Sequence, residues 1–496
     1  MEMKLPKLKK INPNNPNNPN KPKKKKILLL SDDLRLHSGI GTMSREFAIG
    51  TVGKYDWAQI GGAVKHPDQG KIFDLSEETK KITGVEDPYI KVYPVSGYGN
   101  PDILRQVMTM EQPDAILHFT DPRFWGWLYQ MEHELRQHTP LLYYNIWDDL
   151  PDPQWNEDFY ESCDLIMAIS KQTYGINKRV RKRKPVKDWE LTYVPHGINE
   201  ESYRPILETE QDLIDKKRKE IFGDNEIDFV VFWNNRNIRR KVPGDVILAF
   251  KTFCDQLKPE QAKRCALVMH TQPIDENGTN LPEVVRMMCP KYKVVLHDKK
   301  VEASELNLLY NIADVTVNMA SNEGFGLSGA ESLMAGTPII NNVTGGLQDQ
   351  CGFHYEQAEA WDSEGITTSL KEKYFTAEDY IEIGSLHDRK KWEGAIKSGK
   401  WAKPVWPSNR SLQGSVPTPY IFDDRCSFED VGDKLMEWYE TPRAERVEAG
   451  LKGREFAMKP EIGMSSKSGM CKLMADSIDN TFKNWTARKR FSIIAA

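Results

Sequence analysis

The chain has 496 residues, too many for one hydrophobic core, and this length predicts two or three domains. Hydrophobic residues make up 39% and charged residues 28%, as in ordinary globular proteins, and the net charge of −4 excludes a uniformly basic protein. The seven cysteines include no Cys-x-x-Cys pair, which argues against a disulfide framework and favours a reducing, cytoplasmic compartment. No apolar run approaches the ~20 residues that span a bilayer.

Residues 1–26 are rich in lysine, asparagine and proline and contain the run NPNNPNNPNKPKKKK. Repeated proline and asparagine cannot build a packed core, so we predict a disordered arm that carries nine lysines. Its charge is compatible with two interpretations, a solvated tail or a tether to an anionic partner.

From Ile27 onward, short apolar runs alternate with helical segments. The runs are KILLL (26–30), DAILHFT (114–120), LLYYNIW (141–147), DLIMAIS (164–170) and LTYVP (191–195). The glycine-containing loop HSGIG follows the first run, and we expect the next helix to begin at Thr42. This alternation is typical of a mostly parallel sheet with helices on both faces, so residues 27–198 are predicted to form one Rossmann-like domain.

A second series of the same kind predicts another Rossmann-like domain at 199–467. Its strands are DFVVFW (228–233), CALVMH (265–270), YKVVLH (292–297), DVTVNM (314–319) and TPIIN (337–341), with helices at 244–257 and 303–313. Ligands of doubly wound sheets bind outside the carboxyl ends of the strands. The sequence therefore predicts an α/β protein whose site lies in a cleft between two facing domains.

The last third of the chain is less regular. Residues 352–426 are predicted to be an elaboration of the second domain, and they contain four tryptophans whose rings we expect to offer stacking surfaces: Trp361, Trp392, Trp401 and Trp406. Within 468–496 we expect a final helix that packs back on the N-terminal domain.

The stretch SNEGFGLSGAESLMAGTPIINNVTGG (321–346) follows a predicted strand. Glu323 lies in the strand-to-helix loop, and Glu331 follows in the helix after seven intervening residues. Gly324 and Gly326 allow the backbone to approach a ligand closely, and the start of a helix binds anions. A carboxylate also stabilises a helix start by itself, so this stretch alone leaves a ligand site and an acidic first turn both open.

Three other passages, taken with this stretch, resemble a known enzyme family. The passage YVPHGINEESYRP resembles that family's segment between domains, SGIG its first glycine loop, and FWNNRNIRRKVPGDVILAF its basic segment, with Arg236 and Lys241 in register. The family is glycosyltransferase family four, retaining enzymes with a Glu-x7-Glu motif. The resemblance implies the GT-B fold and transfer of a sugar from a nucleotide diphosphate, such as UDP or GDP, to an acceptor hydroxyl.

The resemblance also implies roles for individual residues. It implies a catalytic set of Arg236, Lys241 and Glu323 and a donor-binding set of Glu331, Gly324, Phe325, Gly326, Leu327, Gly39, Gly41 and His297. Arg236 and Lys241 would neutralise the leaving diphosphate without a metal ion, and no cofactor would be required. Glu323 would bind hydroxyls of the donor sugar, Glu331 the ribose, and His297 would lie near the nucleobase.

One family feature is altered here. Family members often carry His-x-His after the fourth strand, whereas this chain has LHFTDP, so His118 matches the first histidine and Thr120 replaces the second. Asp121 then becomes a candidate for binding the acceptor or the sugar, and an interior role for His118 stays open.

The pair Asp148 and Asp149 in NIWDDLP follows a strand end and is a further acceptor-site candidate. A capped loop is the alternative interpretation. We predict no metal ion at this pair, because the implied chemistry requires none.

The acceptor is not identified by any motif. The segment KRVRKRKPVK (178–187) has seven basic residues and, together with residues 1–26, would suit an anionic partner, although a solvated face is equally open. The hypotheses are transfer to a saccharide, lipid-linked or small-molecule acceptor, transfer to modified bases of DNA, and a non-catalytic protein that binds sugar nucleotides.

Overall fold

The computed structural model describes residues 24–63, 65, 68–361 and 367–489. Residues 1–23 of the predicted arm lie outside the described residues, so the arm and its anionic partner stay predictions. The arm is shorter than predicted, because Lys25 and Lys26 belong to the first strand. Their ammonium groups pair with Asp114 and Glu111, which places basic residues at a strand start without unpaired charge.

The N-terminal lobe is built on an eight-stranded sheet of order β3-β4-β2-β1-β5-β6-β7-β8, parallel except between β3 and β4. Its strands are β1 (Lys25–Asp32), β2 (Tyr55–Gly62), β3 (Phe73–Asp74), β4 (Ile90–Pro94), β5 (Ala115–Phe119), β6 (Leu141–Asn145), β7 (Leu165–Ala168) and β8 (Leu191–Tyr193). Its helices are α1 (Gly39–Thr51), α2 (Ser76–Thr83), α3 (Pro101–Glu111), α4 (Gly126–Gln130), α5 (Glu132–Leu135), α6 (Glu157–Glu161) and α7 (Lys171–Val180).

The C-terminal lobe is built on a six-stranded parallel sheet of order β11-β10-β9-β12-β13-β16. Its strands are β9 (Phe229–Asn234), β10 (Cys265–His270), β11 (Lys293–His297), β12 (Val315–Asn318), β13 (Ile339–Asn342) and β16 (Ala402–Val405). Its helices before residue 352 are α8 (Gln211–Phe222), α9 (Pro243–Asp255), α10 (Pro259–Ala262), α11 (Leu281–Met288), α12 (Ala303–Ile312), α13 (Leu327–Ala335) and α14 (Leu347–Gln350). The two predicted strand series therefore form two separate, mostly parallel sheets.

The central strand β1 shows why the apolar runs form buried strands. Its side chains from Ile27 to Leu30 are almost completely buried, and β1 pairs in parallel with β2 on one side and β5 on the other. A strand that is covered on both faces needs a continuous apolar run rather than an alternating one, which is the pattern of KILLL.

Helix α1 begins three residues earlier than predicted, at Gly39 instead of Thr42. The side chain of Ser38 caps it by accepting a hydrogen bond from the backbone N–H of Gly41 at 3.0 Å. A Cβ at Gly41 would lie only 2.7 Å from the carbonyl oxygen of Leu36. Gly41 thus lets the loop 33–38 pack closely against the first turn of the helix, and the start of this helix lies at the cleft.

The predicted elaboration consists of two hairpins, two short helices and the edge strand β16. The hairpins are β14 (His354–Trp361) with β15 (Thr367–Tyr374) and β17 (Asn409–Ser415) with β18 (Thr418–Arg425), and the helices are α15 (Asp379–Ile383) and α16 (Arg389–Trp392). The expectation of tryptophan stacking surfaces is wrong for Trp392, Trp401 and Trp406, which are 5–7% exposed and pack in the core. The ring of Trp401, for example, stacks on Phe456 at 4.7 Å.

The last elements return to the N-terminal lobe. After α17 (Phe428–Glu440) and α18 (Arg443–Met458), a π-helical turn (Ser466–Cys471) leads into α19 (Lys472–Asn484). The phenol of Tyr55 on β2 donates to Asp479 of α19 at 2.6 Å, and Ser477 donates to Thr192 at 3.0 Å. No helix in the described parts of the chain combines the length and the apolar character needed to cross a membrane.

Arg136 and Asp164 form a buried ion pair that joins the end of α5 to the N-terminal sheet. Truncating Arg136 to alanine leaves a buried carboxylate without its cation, so we expect a loss of about 3–5 kcal/mol in the free energy of unfolding. The urea midpoint of the variant checks this. The matched control is Arg286→Ala, which breaks an exposed, solvent-screened pair with Glu283 and should leave the urea midpoint close to that of the wild type. Equal midpoints for the two variants would contradict the assignment.

Candidate functional site

A cavity of about 470 Å³ lies between the two lobes, where the carboxyl ends of both sheets face each other. The N-terminal lobe lines it with the loops after β1, β5 and β6, and the C-terminal lobe lines it with the loop between β12 and α13. The lining residues include Ser38, Gly39, Asp121, Arg123, Asp148, Asp149, His196, Arg240, Glu323, Gly324, Phe325, Gly326, Leu327, Thr418 and Ile421. This is the position that doubly wound sheets favour for ligands.

The loop from residue 321 to 326 requires its glycines. Gly326 has a φ of +88°, which glycine adopts without strain. A Cβ at Gly324 would lie 2.8 Å from the side chain of Ile169 in the opposite lobe. Gly346 supports the loop from behind by donating its N–H to the carbonyl of Glu323 at 2.8 Å. The backbone of this loop therefore lies directly against the cavity.

Two charged side chains of the cavity wall, Arg240 and Glu323, meet a third, Lys241, that is buried against Glu323. The Glu323 carboxylate accepts hydrogen bonds from the Lys241 ammonium and, at 3.0 Å, from the Arg240 guanidinium. Lys241 and Glu323 are 7% and 8% exposed, so the pair is shielded from water. We call Glu323, Arg240 and Lys241 the charge cluster.

Burial and neighbouring charges shift the pKa values of the charge cluster in opposite directions. Burial alone would raise the pKa of Glu323, but the positive charges of Lys241 and Arg240 outweigh it and lower this pKa to about 2. Burial lowers the pKa of Lys241 to about 8, against the attraction of Glu323. The carboxylate therefore stays ionised near neutral pH and acts only as a hydrogen-bond acceptor.

The predicted position of Arg236 in the site is wrong, and Arg240 takes that place. Arg236 is exposed and donates to Asp275 at 3.0 Å, outside the cavity. A 3-10 turn at Arg239–Lys241 changes the direction of the chain after Arg236. It turns Arg240, rather than Arg236, towards Glu323, which the spacing of basic residues did not reveal.

Asp148 and Asp149 face the charge cluster from the N-terminal lobe, as predicted for a strand end. Asp149 accepts a hydrogen bond from the Asn322 amide across the cleft. Burial, reinforced by the neighbouring Asp148, raises the pKa of Asp149 well above its usual value, and burial likewise raises the pKa of Asp148. No group of three possible ligand side chains in the described residues is placed to hold a metal ion, and the predicted absence of a metal requirement stays a prediction.

Two further predicted residues of the N-terminal lobe line the cavity. Gly39 begins α1, and a Cβ there would lie 3.5 Å from Leu327 of the opposite lobe. Asp121 pairs with Arg123, which also donates to the carbonyl of Pro417 at 3.0 Å. Asp121 is thus held by an arginine that connects the N-terminal lobe to the β17–β18 hairpin.

Other predicted residues are outside the cavity. His118 is fully buried, accepts or donates a hydrogen bond with Tyr129 at 2.7 Å, and has its pKa lowered by burial to about 3. This supports the interior alternative for His118. Thr120 is also buried, and Gly41 lies inside the first turn of α1 rather than at its tip.

Glu331 and His297 lie farther along the carboxyl ends of the C-terminal sheet, not on the cavity wall. The Glu331 carboxylate accepts hydrogen bonds from Tyr310 at 2.6 Å and Asn234 at 3.3 Å. His297 lies at the end of β11, where its ring contacts that of His270 with 2.8 Å between the Nδ1 atoms. The structure therefore separates the predicted donor residues into a group at the cavity and a group at the strand ends.

Sequence reasoning missed His196 along with Arg240. His196 lines the cavity, with its ring 5.3 Å from that of Phe325 and its Nδ1 2.9 Å from the phenol of Tyr144. Burial lowers its pKa to about 3, so it is neutral near pH 7. The one sequence signal was its position in YVPHGIN at the junction between the predicted domains.

The basic segment 178–187 carries less free charge than its composition indicates. Five of its seven basic residues have acidic partners: Arg179 with Asp152, Arg181 with Glu190, Arg183 with Asp158, and Lys184 and Lys187 with Glu190. This pairing weakens the argument for an anionic partner at the segment.

The chain matches no known protein-family model. A curated relative is the alpha-monoglucosyldiacylglycerol synthase of Acholeplasma laidlawii, which is 26% identical over 187 residues. The matched region is 37% of this chain and 43% of that protein, so it spans less than half of the relative's length.

Solved structures match over nearly the whole chain. Anabaena HepE in complex with UDP-glucose is 12% identical, with a TM-score of 0.57 over 92% of this chain and 99% of that one. Sucrose-phosphate synthase from Thermosynechococcus elongatus is 13% identical, with a TM-score of 0.60 over 93% of this chain and 100% of that one. At such identities the likeness establishes the fold, and the chain has the GT-B fold of two facing Rossmann-like domains.

The charge cluster generates a prediction for the pKa of Lys241. Replacing Glu323 by glutamine removes the charge that favours the ammonium, while burial and Arg240 still oppose it, so we expect this pKa to fall below about 8. A pH titration of ¹³C-lysine-labelled protein by NMR, with the Lys241 signal assigned from Lys241→Arg, measures this. Glu283→Gln, at an exposed pair on α11, is the matched control. A Lys241 signal that titrates at the same or a higher pH in Glu323→Gln would contradict the cluster.

Proposed function

We propose that the chain is a retaining glycosyltransferase that binds a nucleotide-diphosphate sugar in the cavity and transfers the sugar to an acceptor hydroxyl. UDP-glucose is the donor that we propose first. The observation that carries the proposal is the charge cluster, where two cations share one carboxylate beside a glycine-rich loop and opposite the start of α1.

The cluster suits a leaving diphosphate. Arg240 and Lys241 together carry one positive charge more than Glu323 neutralises, and Arg240 lies on the cavity wall. The first N–H groups of α1 and α13 have no acceptor within their own helices, so both helix starts favour an anion. Cations and helix dipoles that are already in place would stabilise the negative charge that develops on the leaving phosphate in the transition state. Such electrostatic stabilisation in a shielded site is a large source of rate acceleration.

The strand ends of the C-terminal lobe suit the nucleoside. Glu331 lies there among Tyr310 and Asn234, and a carboxylate of this kind accepts hydrogen bonds from ribose hydroxyls. Thr271 Oγ1 and His297 Nε2 are buried polar atoms without a partner among the described residues. Buried polar atoms are normally satisfied, so a bound nucleoside is a reasonable partner for them.

The comparisons support a sugar-nucleotide donor. HepE was solved with UDP and glucose and with UDP-glucose, and an Escherichia coli structure matched over 94% of this chain was solved with UDP-2-fluoro glucose. The curated relative is a glucosyl-lipid synthase by name. These proteins differ in their products, so they support the donor half of the proposal more than any one acceptor.

The proposed chemistry takes place on one face of the sugar. The acceptor oxygen bonds to the anomeric carbon while the bond to the diphosphate breaks, and the acceptor proton passes to the leaving phosphate oxygen. Glu323 is paired with two cations and binds hydroxyls of the donor sugar rather than attacking it. Asp121, Asp148 and Asp149 lie on the opposite wall, where an acceptor would enter.

Of the three hypotheses from the sequence, a non-nucleic acceptor is favoured. Three acids, Asp152, Asp158 and Glu190, offset part of the positive charge of the 178–187 segment, so this segment offers DNA less charge than its composition indicates. A protein that only binds sugar nucleotides would not need acids opposite the charge cluster, so the aspartates favour transfer over binding alone.

A pair of arginine variants tests the assignment of the charge cluster. We expect Arg240→Ala to lower kcat for UDP-glucose turnover by about 10²–10³-fold, because it removes a cation at the leaving group. We expect Arg236→Ala to change kcat by less than about threefold, since its guanidinium lies outside the cavity, and a surface charge there has little effect. Release of UDP measures both. A larger loss of kcat in Arg236→Ala than in Arg240→Ala would contradict this assignment. It would support Arg236 as the cation at the leaving group, as the sequence alone indicated.

The stereochemistry can be tested without an acceptor. A retaining enzyme that hydrolyses UDP-α-glucose slowly releases glucose first as the α anomer, and proton NMR distinguishes the anomers before they equilibrate. An initial β anomer would contradict front-face transfer. The proposed function itself would be contradicted if the protein neither hydrolysed UDP-, GDP- and ADP-sugars nor bound them in calorimetry.

A further inference from the structure

A second cavity of about 410 Å³ adjoins the first. Both cavities are lined by Asp148, Asp149, Arg240, Thr418 and Ile421, so they meet at the level of the charge cluster and the facing acids. A molecule in the second cavity would therefore have direct access to the point where a donor sugar would lie in the first.

The outer wall of the second cavity is the β17–β18 hairpin. This hairpin follows β16 of the C-terminal lobe but is attached to the N-terminal lobe: the N–H of Phe422 donates to the carbonyl of Leu150 at 2.6 Å. The ring of Tyr420 also packs edge-on against Trp155 at 4.3 Å. Because the hairpin is attached to both lobes, it encloses the acceptor side of the cleft.

The wall of the second cavity is polar. Beyond the shared residues, the hairpin contributes Gln413, Gly414, Ser415 and Asp423, and Ile421 is the one apolar side chain among the lining residues. Carboxylates, amides and hydroxyls hydrogen-bond to hydroxyl groups, whereas an acyl chain needs an apolar wall. The lining therefore suits a hydroxyl-rich molecule such as a saccharide.

Arg239 gives the second cavity a cation that is not already neutralised. Its neighbour Arg240 is committed to Glu323 and to the carbonyl of Asn322, at 3.0 and 2.7 Å. Arg239 is exposed at the cavity wall and forms no ion pair within the described parts of the chain. A guanidinium in this state is well suited to a phosphate, which it can bind through two hydrogen bonds.

We propose that the second cavity is the acceptor subsite and takes a phosphorylated polyol, with its hydroxyls towards Asp148 and Asp149 and its phosphate at Arg239. The inference rests on the proposed function and names its acceptor class. The acceptor hydroxyl oxygen bonds to the anomeric carbon of the donor sugar, the bond from that carbon to the diphosphate breaks, and the hydroxyl proton leaves on the diphosphate. The phosphate of the acceptor takes no part in the transfer.

The test compares acceptors with and without phosphate. The wild-type protein and UDP-glucose are combined with glucose 6-phosphate or fructose 6-phosphate, with the corresponding free hexoses, and with vesicles that contain phosphatidylinositol. We expect kcat/KM for phosphorylated acceptors to exceed that for free hexoses by about tenfold or more, as for a charged hydrogen bond. Transfer to the vesicles but not to the soluble sugar phosphates would identify the phosphorylated polyol as the headgroup of a lipid.

Arg239→Ala separates the phosphate contact from the rest of the site. We expect it to raise KM for phosphorylated acceptors and so abolish the preference for them, with hydrolysis of UDP-glucose without acceptor measured alongside as the readout of the donor site. Arg443→Ala is the matched control, because Arg443 is exposed at the start of α18 and lines neither cavity. A second variant, Gln413→Ala, should raise KM for both phosphorylated and free acceptors.

The outcomes distinguish this inference from the proposed function. Donor hydrolysis with equal use of free and phosphorylated acceptors, or with a preference that survives in Arg239→Ala, overturns the inference alone. Donor hydrolysis without transfer to any phosphorylated acceptor, soluble or in vesicles, also overturns it. Loss of donor binding and hydrolysis altogether in the wild type would overturn the proposed function.

Discussion

The ion pair of Glu323 with Lys241, extended by Arg240, is the interaction on which the site depends. Burying these charges is costly, and the cluster is stable only because each charge has a partner within hydrogen-bonding distance. One carboxylate cannot neutralise two cations, so the cluster keeps an excess positive charge. Burial also raises the pKa of Asp149 opposite, which favours its protonated form and limits the negative charge that would repel a diphosphate.

The two lobes place the backbone at the start of α1 and in the loop after β12 next to this cluster. Gly39 at the start of α1 faces Leu327 of the opposite lobe, and Gly324 after β12 faces Ile169 so closely that a Cβ would lie 2.8 Å from it. Gly345 lies behind the loop so tightly that a Cβ would be 2.0 Å from the carbonyl oxygen of Glu323. Two parallel sheets, each presenting its carboxyl edge, thus direct helix starts and loop N–H groups into one shared space.

The sequence predicted those parts of the molecule that depend on local patterns. Continuous apolar runs such as Ile27–Leu30 identify buried parallel strands, and SNEGFG between a strand and a helix identifies a loop at the sheet edge. The orientation of a side chain after an irregular turn depends on tertiary contacts, which is why Arg236 was preferred to Arg240. The hairpin at 409–425 was missed as part of the site because it reaches the cleft through contacts with residues far away in sequence, such as Leu150 and Trp155.

The two cavities divide the proposed reaction between a donor side with the charge cluster and an acceptor side enclosed by the hairpin.

The most direct test of the central claim is a crystal structure of the protein with UDP-glucose. We expect the diphosphate oxygens within hydrogen-bonding distance of the Arg240 guanidinium and the Lys241 ammonium, with the sugar against Glu323 and the N–H groups that follow it. A nucleotide bound away from this cluster, with the Glu323–Lys241 pair facing only solvent or protein, would contradict the account.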